Sequence, residues 1–251
     1  MTEKQFNFQI FESLDSSNCK AKKLALTGHP EIWILALNQT KGRGRRGKIW
    51  HSSQNNFTAS YLFYPRVSDS TLPMFSYVAG LALYESVNEL GLGENHLCLK
   101  WPNDLLLNGK KIGGVLIESV SGVKNSEKAL VVGFGLNLVS CPPLSELEQD
   151  AYSATFLNGS SVINPSVKDF LKILMPAFSC WSNVFLKQGF KTICDEFLKR
   201  TFPIGKEIQV KTVNRIIFGK FSGIKNDGSL ILESSTEVIH VTAGDVVLIG
   251  K

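Results

Sequence analysis

Long apolar runs are absent from this chain. No stretch approaches the ~18 to 20 consecutive apolar residues that a membrane-spanning helix requires. The first residues, Met1-Thr2-Glu3-Lys4-Gln5-Phe6, lack the apolar core of a secretory signal. Cysteine is scarce and scattered: Cys19, Cys98, Cys141, Cys180 and Cys194 are odd in number, and no two have CxxC spacing. That pattern points to neither a zinc site nor a disulfide framework and suits a reducing cytoplasm. His29, His51, His96 and His240 have no ligand spacing, which leaves metal or histidine-base chemistry poorly supported. Also missing are a GxxxxGK[ST] phosphate loop and a GxGxxG turn into a helix, so a nucleotide, if bound, is held by other means. There is no internal repeat and no low-complexity tract.

What is present is an ordinary globular composition, 43% hydrophobic and 20% charged over 251 residues. It allows one large domain, or a large one with a small one. A net charge of +5 suits an anionic ligand without demanding nucleic acid. The most informative segment is Gly42-Arg43-Gly44-Arg45-Arg46-Gly47, with Trp50 three places on. Glycine admits positive φ and close approach of a ligand, and arginine brings a permanent charge on a planar donor fork. A polyphosphate or acyl phosphate would need such a loop, and an indole nearby could stack on a purine. On these residues alone a basic surface loop or a nucleic-acid patch fits equally.

Asp15-Ser16-Ser17-Asn18 offers several caps to a helix that ends at Gly28. Ile32–Leu37 reads as a buried, central strand that delivers the chain to Gln39 and the Gly/Arg loop. Phe57–Tyr64 is a second strand, and a helix runs from Ser70-Thr71-Leu72-Pro73 to about Leu90. Leu97–Lys100 is a strand ending at Trp101-Pro102-Asn103-Asp104. Asn108-Gly109 between apolar runs marks a type I′ hairpin, and Gly113-Gly114 marks a bulge or close backbone approach. Ala129–Val132 is a strand entering Gly133-Phe134-Gly135-Leu136-Asn137, and Pro142–Glu148 is a loop. Asn164 as cap and Pro165 as first residue start a long helix to about Gln188, with a kink expected at Pro176. A short helix covers about 191–198. From Phe202 on, short strands near 207–213, 215–223, 229–233, 237–241 and 245–249 make a small barrel. The domains are therefore 1–201 and 202–251. Ser16-Ser17-Asn18, Gln39 with the Gly/Arg loop, Lys100 with Asn103-Asp104, and Gly133–Asn137 fall at strand ends or helix starts. They are expected to converge on one crevice.

Read together, these segments resemble the biotin–protein ligases. Gly42 to Trp50 is similar to their GRGRRGxxW signature and Lys100 to Asp104 to KWPND. Lys111-Ile112-Gly113-Gly114-Val115-Leu116-Ile117-Glu118 is similar to the strand that follows, Gly133 to Asn137 to GxGxN, and Ser16-Ser17-Asn18 to STN. The motifs keep the family's order and the resemblance spans about residues 8 to 250. It implies an α+β fold, a mixed β-sheet with helices of the class II aminoacyl-tRNA synthetase-like kind, followed by an SH3-like barrel. It implies ATP-dependent activation of biotin to biotinyl-5′-AMP, with Mg²⁺ accompanying the nucleotide, and transfer to a lysine of a biotin carboxyl carrier protein. By resemblance Ser16, Ser17 and Gln39 address biotin's ureido ring, Asn18 is a further biotin-binding residue, and the backbone of Gly113 and Gly114 lines the pocket. Arg43, Gly44 and Arg45 cover carboxylate and phosphate, and Lys100 bridges the carboxylate and the α-phosphate. Trp50 packs on adenine, with Asn103 and Asn137 nearby. Arg46 is directed to outgoing pyrophosphate or to ordering the loop, and Asp104 to the incoming lysine.

Ser17 stands where the family has Thr and keeps the hydroxyl. Some members place an arginine near the C-terminus; here the stretch is Val247-Leu248-Ile249-Gly250-Lys251, so no ATP contact is assigned to the barrel beyond a poor substitute in Lys251. About fourteen residues precede Ser16, too few for a winged helix, so operator DNA is not an expected partner, nor is a membrane. An exposed strand edge beside the loop offers a carrier protein or a second copy, as in a homodimer, a place to dock. The rival readings are a lipoate–protein ligase, whose RRxSGGGxV-type loop is missing here, a basic nucleic-acid-binding module, and an inactive biotin-binding scaffold. Lys100 and the arginine loop speak against the last.

Overall fold

The structure is a computed structural model that describes residues 6–93, 96–122, 128–146 and 153–249. Gly250 and Lys251 therefore lie outside the described residues, as do Leu147 and Glu148 of the predicted loop. Seven strands form the first sheet: β1 (Phe8–Phe11), β2 (Ile32–Ala36), β3 (Phe57–Phe63), β4 (Leu97–Lys100), β5 (Asp104–Leu107), β6 (Lys110–Val120) and β7 (Ala129–Leu136). Their order is β1-β2-β3-β7-β6-β5-β4. Only the β1–β2 pair is parallel, so the sheet is mixed. The β5–β6 turn places Asn108 at φ 49° and Gly109 at φ 75°, the two positive angles a type I′ turn requires.

Strand β2 is not central. Phe8–Phe11, which carries no strong alternation and was not expected as a strand, pairs outside it and forms the sheet edge. The glycine-arginine loop thus leaves a strand one place in from the edge.

Alternation assigns each strand two faces. Trp33, Leu35, Phe57, Ala59, Val132 and Phe134 point to one face, where they pack with α2 (Phe75–Asn88) and α3 (Val167–Gln188). Ile32, Ile34, Leu62 and Val131 point to the other, beneath Ala21 and Ala25 of α1 (Ser17–Leu26). Ser16 caps α1, its hydroxyl accepting from Cys19 N. The cap of α3 is Ser166 rather than Asn164: Ser166 Oγ accepts from Asp169 N at 3.2 Å and donates to the Asp169 carboxylate at 2.7 Å. This reciprocal pair outcompetes an Asn–Pro start two residues earlier. The helix continues through Pro176 to Gln188, and α4 (Phe190–Leu198) follows.

The second sheet comprises β8 (Glu207–Lys211), β9 (Ile216–Ile224), β10 (Leu230–Glu233), β11 (Val238–Val241) and β12 (Asp245–Leu248), in the order β11-β10-β9-β8-β12. It is fastened to the first. Tyr77 Oη donates to Gly228 O at 2.6 Å, and Trp101 Nε1 donates to the same carbonyl at 3.1 Å.

Candidate active site

The expected convergence occurs, but on a face of the large sheet rather than at its strand ends. Along β7, Val131, Gly133 and Gly135 point toward the α1 side. Val131 packs beneath the helix. At 133 and 135 no side chain fills the space, and a cavity of about 430 Å³ opens. A Cβ on Gly133 would collide with the Asn18 amide, and one on Gly135 would lie 2.5 Å from the Trp50 ring. The glycines are thus seats for two functional side chains. Cross-strand register extends the floor in two rows. In one, Gly135 pairs with Gly114, Gly114 with Asp104, and Asp104 with Lys100. In the next, Gly133 pairs with Leu116 on one side and Ser60 on the other.

The Ser60 end is a neutral network of hydroxyls and amides. Ser17 N and Oγ both donate to Gln39 Oε1, at 2.7 and 3.0 Å, and Gln39 Nε2 donates to Ser52 Oγ at 3.2 Å. Ser60 Oγ donates to Asn18 Oδ1 at 2.6 Å and lies 2.7 Å from Ser17 Oγ. Asn18 Nδ2 donates to Glu118 Oε2 at 2.9 Å, and Lys22 holds the other carboxylate oxygen at 2.8 Å. Burial would raise the Glu118 carboxyl, but those two hydrogen bonds and the Lys22 charge pull it below its ordinary value.

The opposite end is charged and buried. Lys100 is only 4% exposed; its Nζ lies 2.8 Å from Asp104 Oδ2 and donates to Val246 O of β12 at 3.2 Å. Lys111 Nζ takes Asp104 Oδ1 at 2.6 Å. Burial alone would raise the Asp104 carboxyl; the two ammonium groups overcome it and hold the group well below the usual carboxylate range. Burial likewise draws the Arg45 guanidinium below its ordinary value, against the pull of Asp245 and Asp104. Such a desolvated cation gains by meeting an anion.

Above the floor the glycine-arginine loop closes as a small hairpin. Arg43 bridges Ile49, Gly44 N donates to Lys48 O at 2.8 Å, and Trp50 N donates to Gly42 O at 3.0 Å. Arg46 turns the tip at φ 55°. The three arginines have different partners: Arg43 faces Cys19 Sγ at 3.6 Å, Arg45 donates to Asn103 Oδ1 at 3.1 Å, and Arg46 lies 3.7 Å from Asp245 Oδ2. Among the described residues, Trp50 Nε1 and Asn137 Oδ1 are buried cavity-side atoms without a protein partner. Such a donor and acceptor are costly to leave unmet, and a purine supplies both complements.

Of the residues expected from the sequence, all line this cavity except two. Arg46 is turned toward Asp245. Gly113 points to the opposite face, where a Cβ would stand 2.8 Å from Gly135 O and 3.1 Å from Leu136 Cδ1. Its glycine serves strand packing. Sequence reasoning missed Ser60, although Thr58 and Ser60 alternate with apolar neighbours along β3. It gave Lys111 no role, and it overlooked the small sheet, whose Lys211, Asp245, Val246 and Val247 line the cavity. No local signal marks those residues.

Residues 11–137 match the Biotin/lipoate A/B protein ligase family, and residues 204–249 match the Biotin protein ligase C terminal domain. The chain is 34% identical to a biotin--[acetyl-CoA-carboxylase] ligase of Paracoccus denitrificans, over 92% of this chain and 96% of the relative. It is 27% identical to the bifunctional ligase/repressor BirA of Bacillus subtilis, over 94% of this chain and 72% of that protein. Its fold superposes on biotin protein ligase from Aquifex aeolicus in complex with biotin and ATP with a TM-score of 0.79 and 25% identity, covering 96% and 98% of the two chains.

Proposed function

The chain belongs to the biotin/lipoate A/B protein ligase family, and we propose that its cavity holds biotin and ATP along the two rows of the sheet face. The reaction is ATP-dependent activation of biotin and transfer of biotin to a protein, with acetyl-CoA carboxylase as the acceptor. One observation carries the site reading: a neutral hydroxyl–amide network and a buried cationic cluster share a single cavity. Biotin needs that pairing, since its ureido ring is a neutral donor and acceptor and its other end is a carboxylate.

In this reading Ser17, Gln39 and the Ser60–Asn18 network meet the ureido ring. Lys100, Arg43 and Arg45 meet the carboxylate and the α-phosphate. Trp50 and Asn137 meet adenine. A carboxylate oxygen attacks the α-phosphorus and pyrophosphate leaves. Fixed cations lower the repulsion between the two anions and stabilise charge on the phosphoryl oxygens. The carrier lysine's amine then attacks the mixed anhydride and releases AMP, while the hairpin shields the anhydride from water. The Mg²⁺ that accompanies ATP would offset the negative charge of its phosphates. Asp245 and Glu146 at the cavity offer oxygen donors of the kind Mg²⁺ takes. The cysteines are all free thiols, in support of a reducing, cytoplasmic setting. The half-buried Arg45, bonded to Asn103 inside the cavity, favours a ligand clamp over a nucleic-acid patch.

The test is exchange of labelled pyrophosphate into ATP. Biotin should support it and lipoate should not; exchange with lipoate alone would overturn the reading.

A further inference from the structure

We propose that Glu118, outside the cavity wall, sets the direction of the hydrogen bonds from Asn18 to Ser17 and so makes Ser17 an acceptor for a ring N–H of the substrate. The inference rests on the biotin reading above and makes Glu118 a positioning residue that determines specificity. Glu118 pairs with Val131 of β7, one row behind Gly133 and beneath α1. Strand alternation puts it on the same face as Leu116, which pairs with Gly133.

The direction follows from the number of hydrogens each group carries. A carboxylate only accepts. Glu118 takes Lys22 Nζ on Oε1 at 2.8 Å and Asn18 Nδ2 on Oε2 at 2.9 Å. Asn18 Nδ2 also donates to Leu116 O at 3.4 Å. The amide nitrogen is thereby turned to β6 and Oδ1 to Ser60 of β3. An amide oxygen also only accepts, so the single hydrogen of Ser60 goes to Asn18 Oδ1 at 2.6 Å. Ser60 has none left for Ser17 Oγ, 2.7 Å away. Ser17 too has one hydrogen. Gln39 Oε1 at 3.0 Å and Ser60 Oγ at 2.7 Å are both placed to accept it, and either way it stays inside the network. Gln39 keeps its oxygen there, because Ser17 N donates to the same Oε1 at 2.7 Å. Ser17 Oγ therefore turns lone pairs to the cavity that it lines. A urea carries an N–H on each side of its carbonyl. A cyclic carbamate has oxygen in place of one of them and would set oxygen against oxygen. Ser17, Asn18 and Ser60 are buried, so such a mismatch is costly.

The test is pyrophosphate exchange with biotin and with the two carbamate analogues of biotin, each lacking one ring N–H. Wild type should discriminate against at least one carbamate about 10- to 100-fold. Glu118→Gln keeps the shape but lets the two facing amides turn over, so that Ser17 can point its hydrogen outward. It should raise KM for biotin about ten-fold, leave kcat and KM for ATP nearly unchanged, and shrink the discrimination against that carbamate. The double variant Glu118→Gln with Asn18→Asp moves the charge but keeps an acceptor against Ser60. It should recover most of the KM for biotin and most of the discrimination. Three results would overturn the proposal and leave Glu118 a structural role: a wild type that accepts both carbamates like biotin, equal losses for biotin and both carbamates in Glu118→Gln, or a double variant no better than Glu118→Gln. A wild type inactive with biotin would overturn the underlying reading instead.

Discussion

Lys100 and Val246 belong to different sheets, yet the Lys100 ammonium donates to the Val246 carbonyl at 3.2 Å. The small barrel is therefore part of the wall against which the central lysine is set. Next to Val246, the Asp245 carboxylate faces two residues of the glycine-arginine hairpin, Arg46 at 3.7 Å and Lys48 at 3.4 Å. The barrel thus touches both the lysine and the lid above it.

Asp245→Ala should loosen that lid without unfolding the protein. Its ion pairs are about one-third exposed, and exposed pairs contribute roughly 0 to 1 kcal/mol. Thermal stability should hardly move, while the off-rate of biotinyl-5′-AMP should rise several-fold. An unchanged off-rate would show that the contact does not order the hairpin.

Gly135→Ala should separate nucleotide from biotin binding. The new Cβ would stand 2.5 Å from the indole that rests there, so Trp50 must move. Overpacking of this kind costs about 1 to 3 kcal/mol. KM for ATP should rise about ten-fold or more, and binding of biotin alone should change much less. Calorimetric titration with each ligand distinguishes the two; equal losses would argue against Trp50 as the adenine platform.

Lys100→Met should severely slow the first chemical step and spare the fold. Asp104 keeps Lys111 as a partner at 2.6 Å, so no unpaired buried carboxylate is created. Loss of one transition-state cation costs on the order of 10² to 10³ in rate. A folded Lys100→Met protein with normal pyrophosphate exchange would remove Lys100 from the chemistry.

Asp104 also sets a pH dependence. Its folded pKa lies below its unfolded value of about 4, so the unfolded chain binds more protons in that range. The contribution to stability is complete above that value and is lost as pH falls through the folded pKa. Between pH 5 and pH 2, wild type should lose more unfolding free energy than Asp104→Asn. Parallel denaturation curves across that range would contradict the assignment.

Much of this was legible in the chain itself. The Asn108-Gly109 turn has local chemistry that only a tight hairpin satisfies, and the short alternating runs after Phe202 mark the barrel strands to within a few residues. The glycine-arginine segment, KWPND and GxGxN named the residues that meet. Those signals are local, since each depends on neighbours close in sequence. Long-range pairing decided the rest. It added Phe8–Phe11 outside β2, moved the cavity from strand ends to the sheet face, and aligned Lys100, Asp104, Gly114 and Gly135 in one row. Plain strand alternation beside Gly114 turned Gly113 away from the cavity, and a single unpaired residue, Ile112, turned Lys111 into it. Docking of the second sheet supplied Asp245 and the Val246 carbonyl. The sequence by itself determined which side chains were available; register, a bulge and the packing of two sheets decided which of them share a charge.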